Sequence, residues 1–161
     1  MAEDKIKLSI DNTAVEVESG TTILKAAEKA GKEIPTLCYL EEVNEIGACR
    51  VCVVELADSG DIVASCLTPV EEGMKVKTNT QKVRKIRRMN VEFLLSNHDI
   101  ECPTCSRNSD CELRRIAEKM GIRDNRFEGE KSHLPIDDST PALMRDPDKC
   151  ILCRRCESVC R

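Results

Sequence analysis

Aromatic side chains are nearly absent from this sequence: it holds two phenylalanines, one tyrosine and no tryptophan in 161 residues. A chain so poor in aromatics lacks the bulk that usually fills a core. It also lacks the stacking platforms on which single-stranded nucleic acid is held. Long apolar runs are missing as well, so no segment reads as a membrane span, and the N-terminal MAEDKIKLSI has no signal-peptide apolar region. A net charge of −4 with 34% charged residues describes an ordinary soluble surface without the basic excess that nucleic acid selects. No grouping of acid, base and nucleophile emerges, and no catalytic residue is assigned. These absences imply a cytoplasmic protein with no membrane segment and no nucleic-acid partner.

What the chain has in quantity is cysteine, eleven in all. An odd count, C-x2-C spacings and no export signal argue for metal ligation rather than a disulfide scaffold. The most concentrated stretch is HDIECPTCSRNSDC, which places His98, Cys102, Cys105 and Cys111 within fourteen residues. Ligands at that spacing do not all lie on one regular helix or strand, so the stretch reads as a loop wrapped around a metal centre. Three cysteines and a histidine also make a structural zinc set, and on this stretch alone zinc and an iron–sulfur cluster both stand. The remaining cysteines form two further groups, Cys38, Cys49, Cys52 and Cys66 upstream and Cys150, Cys153, Cys156 and Cys160 downstream. Metal held by such sets couples binding to folding and can replace the missing aromatic core.

Along the chain, Lys5 to Ile10 and Ala14 to Val17 alternate in polarity around Asp11-Asn12, the pattern of a tight hairpin. A helix capped by Thr21 or Thr22 follows, with Ile23, Leu24, Ala26, Ala27 and Ala30 as its apolar face and Gly31 as its stop. Val51 to Leu56, Ile62 to Ala64 and Met74 to Lys77 read as three more strands, the order of a β-grasp sheet packed on one helix. Within this segment the cysteines fall at C-x10-C-x2-C-x13-C. With IPTLCYLEEVNEIGACRVCVVEL and SCLTPVEEGMKVKTNT around them, they resemble the [2Fe–2S] domain of the large iron–sulfur subunits of NADH dehydrogenases, NAD(P)-linked formate dehydrogenases and iron-only hydrogenases. The first loop is longer than the plant-type C-x4-C-x2-C spacing. The resemblance implies Cys38 and Cys49 on one iron and Cys52 and Cys66 on the other. Gly47 and Ala48 are small enough for backbone N–H groups to approach inorganic sulfide, and Arg50 adds nearby positive charge.

After Thr78-Asn79-Thr80, QKVRKIRRMNVEFLLSN carries Val83, Ile86, Met89, Phe93, Leu94 and Leu95 at helical spacing and should form one helix ending before His98. Its basic residues, Lys82, Arg84, Lys85, Arg87 and Arg88, read as a solvated face or as a docking surface. Ser109 and Glu112 form an S-x-x-E capping box, which would place Cys111 in the first turn of a helix running to Gly121. H-x3-C-x2-C-x5-C resembles the histidine-ligated [4Fe–4S] centre of the same subunits, and by that resemblance His98, Cys102, Cys105 and Cys111 are its ligands.

The segment 122–148 is rich in charge and proline and reads as a surface connection, with His133 a surface residue. KCILCRRCESVCR then follows the bacterial ferredoxin spacing C-x2-C-x2-C-x3-C. In that motif Cys150, Cys153 and Cys156 serve one [4Fe–4S] cluster, an incomplete set here, and Cys160 serves a second whose partners are missing. The expectation is an N-terminal piece of a longer polypeptide with a β-grasp [2Fe–2S] domain at 1–78, a helical [4Fe–4S] domain at 79–121, a connection at 122–148 and the truncated start of a ferredoxin-like domain at 149–161. The fold class is α+β. IGACRVCVVEL and KCILCRRC look most like the NAD(P)-linked iron-only hydrogenases. That resemblance implies a one-electron relay working with the rest of its own polypeptide and with flavin/NAD(P)-binding or other iron–sulfur subunits, in an oxidoreductase whose active site lies elsewhere. The corresponding segments of formate dehydrogenase and NADH dehydrogenase share all three ligand sets. A zinc-stabilised interaction module is the alternative of another class.

Overall fold

A computed structural model describes residues 5–131 and 133–161; residues 1–4 of the expected first domain and residue 132 of the expected connection lie outside it. The chain divides into two compact units, residues up to Arg87 together with Arg154–Arg161, and Arg88–Cys153.

In the first unit, strands β1 (Lys5–Ile10) and β2 (Thr13–Glu18) pair antiparallel through a turn in which Asp11 and Asn12 both have positive φ, the type I′ geometry that matches strand twist. Helix α1 (Ile23–Lys29) is capped by Thr22, whose Oγ1 accepts from the Lys25 N–H. It stops in a Schellman motif: Gly31 at φ 71° sends its N–H to the Glu28 carbonyl, and Lys32 donates to that of Ala27. Strands β3 (Val53–Leu56), β4 (Ile62–Ala64) and β5 (Lys75–Lys77) complete a five-stranded sheet in the order β2-β1-β5-β3-β4, with β1 and β5 parallel at its centre. Leu8, Ile10, Val17, Val54 and Val76 of the sheet pack with Ile23, Leu24, Ala26 and Ala27 of α1 into one core, the β-grasp arrangement. The strand expected from Val51 begins at Val53, because Val51 and Cys52 belong to the turn that delivers the cysteine.

Helix α2 (Gln81–Asn97) starts at Thr80, whose hydroxyl accepts from the Val83 N–H, and passes from the first unit into the second. Its apolar pattern is only partly a buried face: Val83 and Val91 are fully buried, whereas Phe93 is half exposed. Two charged residues are buried instead, Arg87 and Glu92. In the second unit Glu92 accepts from Arg88 Nε at 3.1 Å and from Arg126 Nε at 3.0 Å, with Arg126 Nη2 on its other oxygen, and Phe93 stacks on Phe127 with centroids 4.5 Å apart. Helix α3 (Glu112–Lys119) ends in a second Schellman motif at Gly121. Helix α4 (Arg155–Val159) belongs to the first unit, where Arg155 donates to the Tyr39 carbonyl and the Ser158 hydroxyl to Asn44 Oδ1. Among the described residues no helix is long and apolar enough to cross a membrane.

Glu92 ties α2 to the segment that follows α3. The two guanidinium groups hold its carboxyl below the usual range, so its contribution is complete above its unfolded pKa and is lost as pH falls through the depressed folded value. Glu92→Gln should lower unfolding free energy by about 2 kcal/mol at neutral pH, the size of a lost charge-assisted hydrogen bond. In denaturant titrations across the acid range, the gap between parent and variant should close as pH falls; a constant gap would contradict the assignment.

Candidate metal centres

The four upstream cysteines are buried and lie in two pairs. Cys52 Sγ is 3.3 Å from Cys66 Sγ, and the Cys38 thiol is hydrogen-bonded with that of Cys49. Within each pair one sulfur loses its proton readily and the other keeps it. The hydrogen bond from Cys38, ahead of opposing burial, pulls Cys49 down to about 5, and that from Cys66 pulls Cys52 down to about 6. Cys38 and Cys66 move up, from the same hydrogen bonds and from burial. Backbone N–H groups of Ala48 and Cys49 reach the Cys38 sulfur, and that of Val51 reaches Cys49.

The loop carrying Cys38 and Cys49 is held by Asn44, which is 1% exposed and donates from Nδ2 to the Cys38 carbonyl at 2.6 Å. Gly47 has φ 61°, a conformation that favours glycine, and a Cβ there would have to push the end of the exposed Leu67 side chain aside. On the β3 side, the Ser65 hydroxyl donates to the Cys52 carbonyl at 2.8 Å, and the Arg87 guanidinium donates twice to the Val53 carbonyl. Asn44, Ser65 and Arg87 carry no spacing signal in the sequence. Arg50, expected near the site, is exposed and has φ 52°.

The second set is looser. His98 and the cysteines 102 and 111 line one cavity of about 230 Å³ together with Leu95, Ile100 and Leu113, and Cys105 is not in that lining. His98 Nδ1 is buried without a hydrogen-bond partner, and burial lowers the imidazole pKa, so the ring is neutral at pH 7 with a lone pair to give. Cys111 is the N-cap of α3 itself, its sulfur accepting from the Arg114 N–H at 3.4 Å. The expected Ser109 cap is overturned: residues Asn108–Asp110 form a separate 3-10 turn, and α3 starts at Glu112, with the Cys111 sulfur accepting from the Arg114 N–H two residues further along than the Glu112 N–H that a Ser109 cap would have engaged.

Of the last set, Cys150, Cys156 and Cys160 are exposed and Cys153 is half-buried; His133 is exposed, as expected. Among the described residues, no three His, Cys, Asp or Glu side chains gather around a point that could hold a single metal ion.

Three family models cover the chain in succession. Residues 3–81 match the 2Fe-2S iron-sulfur cluster binding domain, 87–126 the NADH-ubiquinone oxidoreductase-G iron-sulfur binding region, and 143–161 the 4Fe-4S binding domain. The NADP-reducing hydrogenase subunit HndD of Solidesulfovibrio fructosivorans is 44% identical over 96% of this chain, and the NADH-quinone oxidoreductase-G protein of Rickettsia bellii is 42% identical over 94%. The chain is similar to the HndD- and NADH-quinone oxidoreductase-G-type iron–sulfur subunits. It spans 27% and 22% of the lengths of those two relatives. An NAD+-reducing [NiFe]-hydrogenase crystallised in the H2-reduced state shares the fold, with 35% identity and a TM-score of 0.87 over 94% of this chain and 64% of that one. This HndD-type segment therefore carries [2Fe–2S] and [4Fe–4S] cofactors, and its role is iron–sulfur electron relay.

Exposure sets an order of thiol reactivity. Brief alkylation of the folded chain followed by peptide mapping should label Cys150, Cys156 and Cys160 first and leave Cys38, Cys49, Cys52 and Cys66 unlabelled. Early labelling of Cys52 or Cys66 would show that the first core is not closed.

Proposed function

We propose that this chain is the relay segment of an NADP-reducing hydrogenase, receiving and passing single electrons through clusters held by its own cysteines and His98. Cys38, Cys49, Cys52 and Cys66 hold the [2Fe–2S] centre. The donor set fits: four buried sulfurs in two pairs supply two ligands to each of two irons, and the Ala48, Cys49 and Val51 N–H groups stabilise charge on sulfur. His98, Cys102, Cys105 and Cys111 hold a [4Fe–4S] centre. The observation favouring His98 is its buried Nδ1 without a partner, since an unpaired buried polar atom is costly unless a ligand completes it. Cys111 stands where the α3 dipole favours a thiolate. Cys150, Cys153 and Cys156 serve a ferredoxin-type [4Fe–4S] cluster and Cys160 a second one, with further ligands supplied from outside these residues.

A cluster supplies one-electron chemistry without proton or atom transfer. The residues contribute burial, which excludes water and oxygen, and hydrogen bonds that set the relative stability of the oxidised and reduced forms. The hydrogenase reading rests on the 44% identity to HndD, and its partners are the rest of a longer polypeptide and a flavin/NAD(P)-binding subunit, in the cytoplasm. The second reading, an NADH-quinone oxidoreductase, is favoured by 42% identity to the Rickettsia bellii protein.

Two experiments test these assignments. His98→Cys should keep a [4Fe–4S] centre with a lower potential, because thiolate donates more electron density than imidazole, and His98→Ala should make that centre labile. Redox titration that finds both variants unchanged would place the fourth ligand elsewhere. For the parent reaction, the complex purified through this chain should reduce NADP+ with hydrogen. NADH-dependent quinone reduction without hydrogen uptake would favour the second reading.

A further inference from the structure

Arg87 lies on α2 with 7% of its surface exposed, and its guanidinium donates from Nε and Nη2 to the Val53 carbonyl at 3.0 and 2.7 Å. Val53 opens β3 and follows Cys52 directly. Among the described residues Arg87 makes no ion pair. Burial lowers its pKa to about 10, while the fields of Cys52 and Asp11 support the charged form, so the group is cationic at neutral pH. Asp11 is itself engaged by the N–H and hydroxyl of Thr78. A buried guanidinium bonded to a neutral carbonyl is expensive unless a negative charge nearby compensates it.

Resting on the reading of Cys38, Cys49, Cys52 and Cys66 as [2Fe–2S] ligands, we propose that Arg87 is the buried countercharge of that centre and raises its reduction potential. Two ferric ions, two sulfides and four thiolates sum to a dianion. One electron from a low-potential donor, dithionite in the test, converts one ferric ion to ferrous and gives a trianion, with no bond broken and no proton taken up. Attraction to a fixed cation grows with the added charge, and the low dielectric of the core preserves it. Arg87 therefore favours the reduced form. The two hydrogen bonds to one carbonyl fix the cation beside the Cys52 side of the site, so its field is constant and needs no reorganisation when the electron arrives.

The test is a potentiometric titration of the reconstituted 161-residue chain, following the paramagnetic signal of the reduced two-iron centre. Arg87→Gln, which keeps a donor and removes the charge, should shift the reduction equilibrium about tenfold toward the oxidised form, about 59 mV lower for a one-electron couple. Arg87→Lys, which keeps the charge, should stay within about threefold of the parent, and the exposed Lys85→Gln on the same helix within about twofold. An Arg87→Gln potential equal to the parent's, or Arg87→Lys falling as far as Arg87→Gln, would overturn the proposal. If Arg87→Gln assembles no two-iron centre, Arg87→His carries the test. Its midpoint must fall as pH rises through the imidazole range beyond any slope in the parent, and the absence of that slope overturns the countercharge. A parent chain with no two-iron signal at all would remove the ligand reading and the countercharge together, a result distinct from a signal present at an unmoved potential.

Discussion

The first unit is constrained by having sulfur where other small domains have aromatic rings. Cys52 and Cys66 are members of the same hydrophobic cluster as Leu8, Ile10, Ile23 and Val54, each 1% exposed or less apart from Leu8 at 4%. Metal ligation requires thiolates, and thiolates in an apolar core are costly. The surrounding structure offsets that cost with Ser65 on the Cys52 carbonyl, Asn44 on the Cys38 carbonyl, backbone N–H groups on sulfur and the buried charge of Arg87. Without a cluster the same core holds two hydrogen-bonded sulfur pairs, each with one readily ionised member, beside the buried Arg87 cation, and a bound cluster couples its binding energy to the folding of that core.

In the second unit polar groups perform the organising role. Glu92, fully buried on α2, gathers Arg88 and Arg126, and the segment after α3 is thereby tied back beside the Phe93–Phe127 stack. The consequence for function is positional. His98 follows the last turn of α2, and Cys111 opens α3, so two proposed ligands are set by helix ends rather than by free loops. Asp99 adds a further anchor, its N–H donating to the Asp148 carbonyl and its carboxylate facing Lys131 and Lys149.

Much of this was legible in the residues, and for physical reasons. The β1–β2 hairpin followed from strict alternation around Asp11-Asn12, two residues that tolerate positive φ, and α1 followed from its threonine cap and Gly31. Ligand spacing made the cysteine groups visible because cluster chemistry limits the residue types that can serve. Arg87 and Glu92 were not legible: helical periodicity scores charged residues as outward-facing, whereas here each is buried through a partner distant in sequence, Val53 for one and Arg126 for the other. The same blindness to partners hid Asn44. Cys111 as a cap was missed because the capping box points to serine, whereas the 3-10 turn over Asn108–Asp110 moves the helix start on by two residues and leaves the thiol sulfur to meet the Arg114 N–H.

The central claim is that the two pairs of core sulfurs hold two bridged irons. Mössbauer spectroscopy of the 161-residue chain reconstituted with iron-57 and sulfide distinguishes nuclearity directly. The oxidised chain should contain a diamagnetic two-ferric component that, on one-electron reduction, separates into one ferric and one ferrous iron, alongside a separate cubane component. A spectrum of mononuclear iron, or of cubanes alone, would contradict the account.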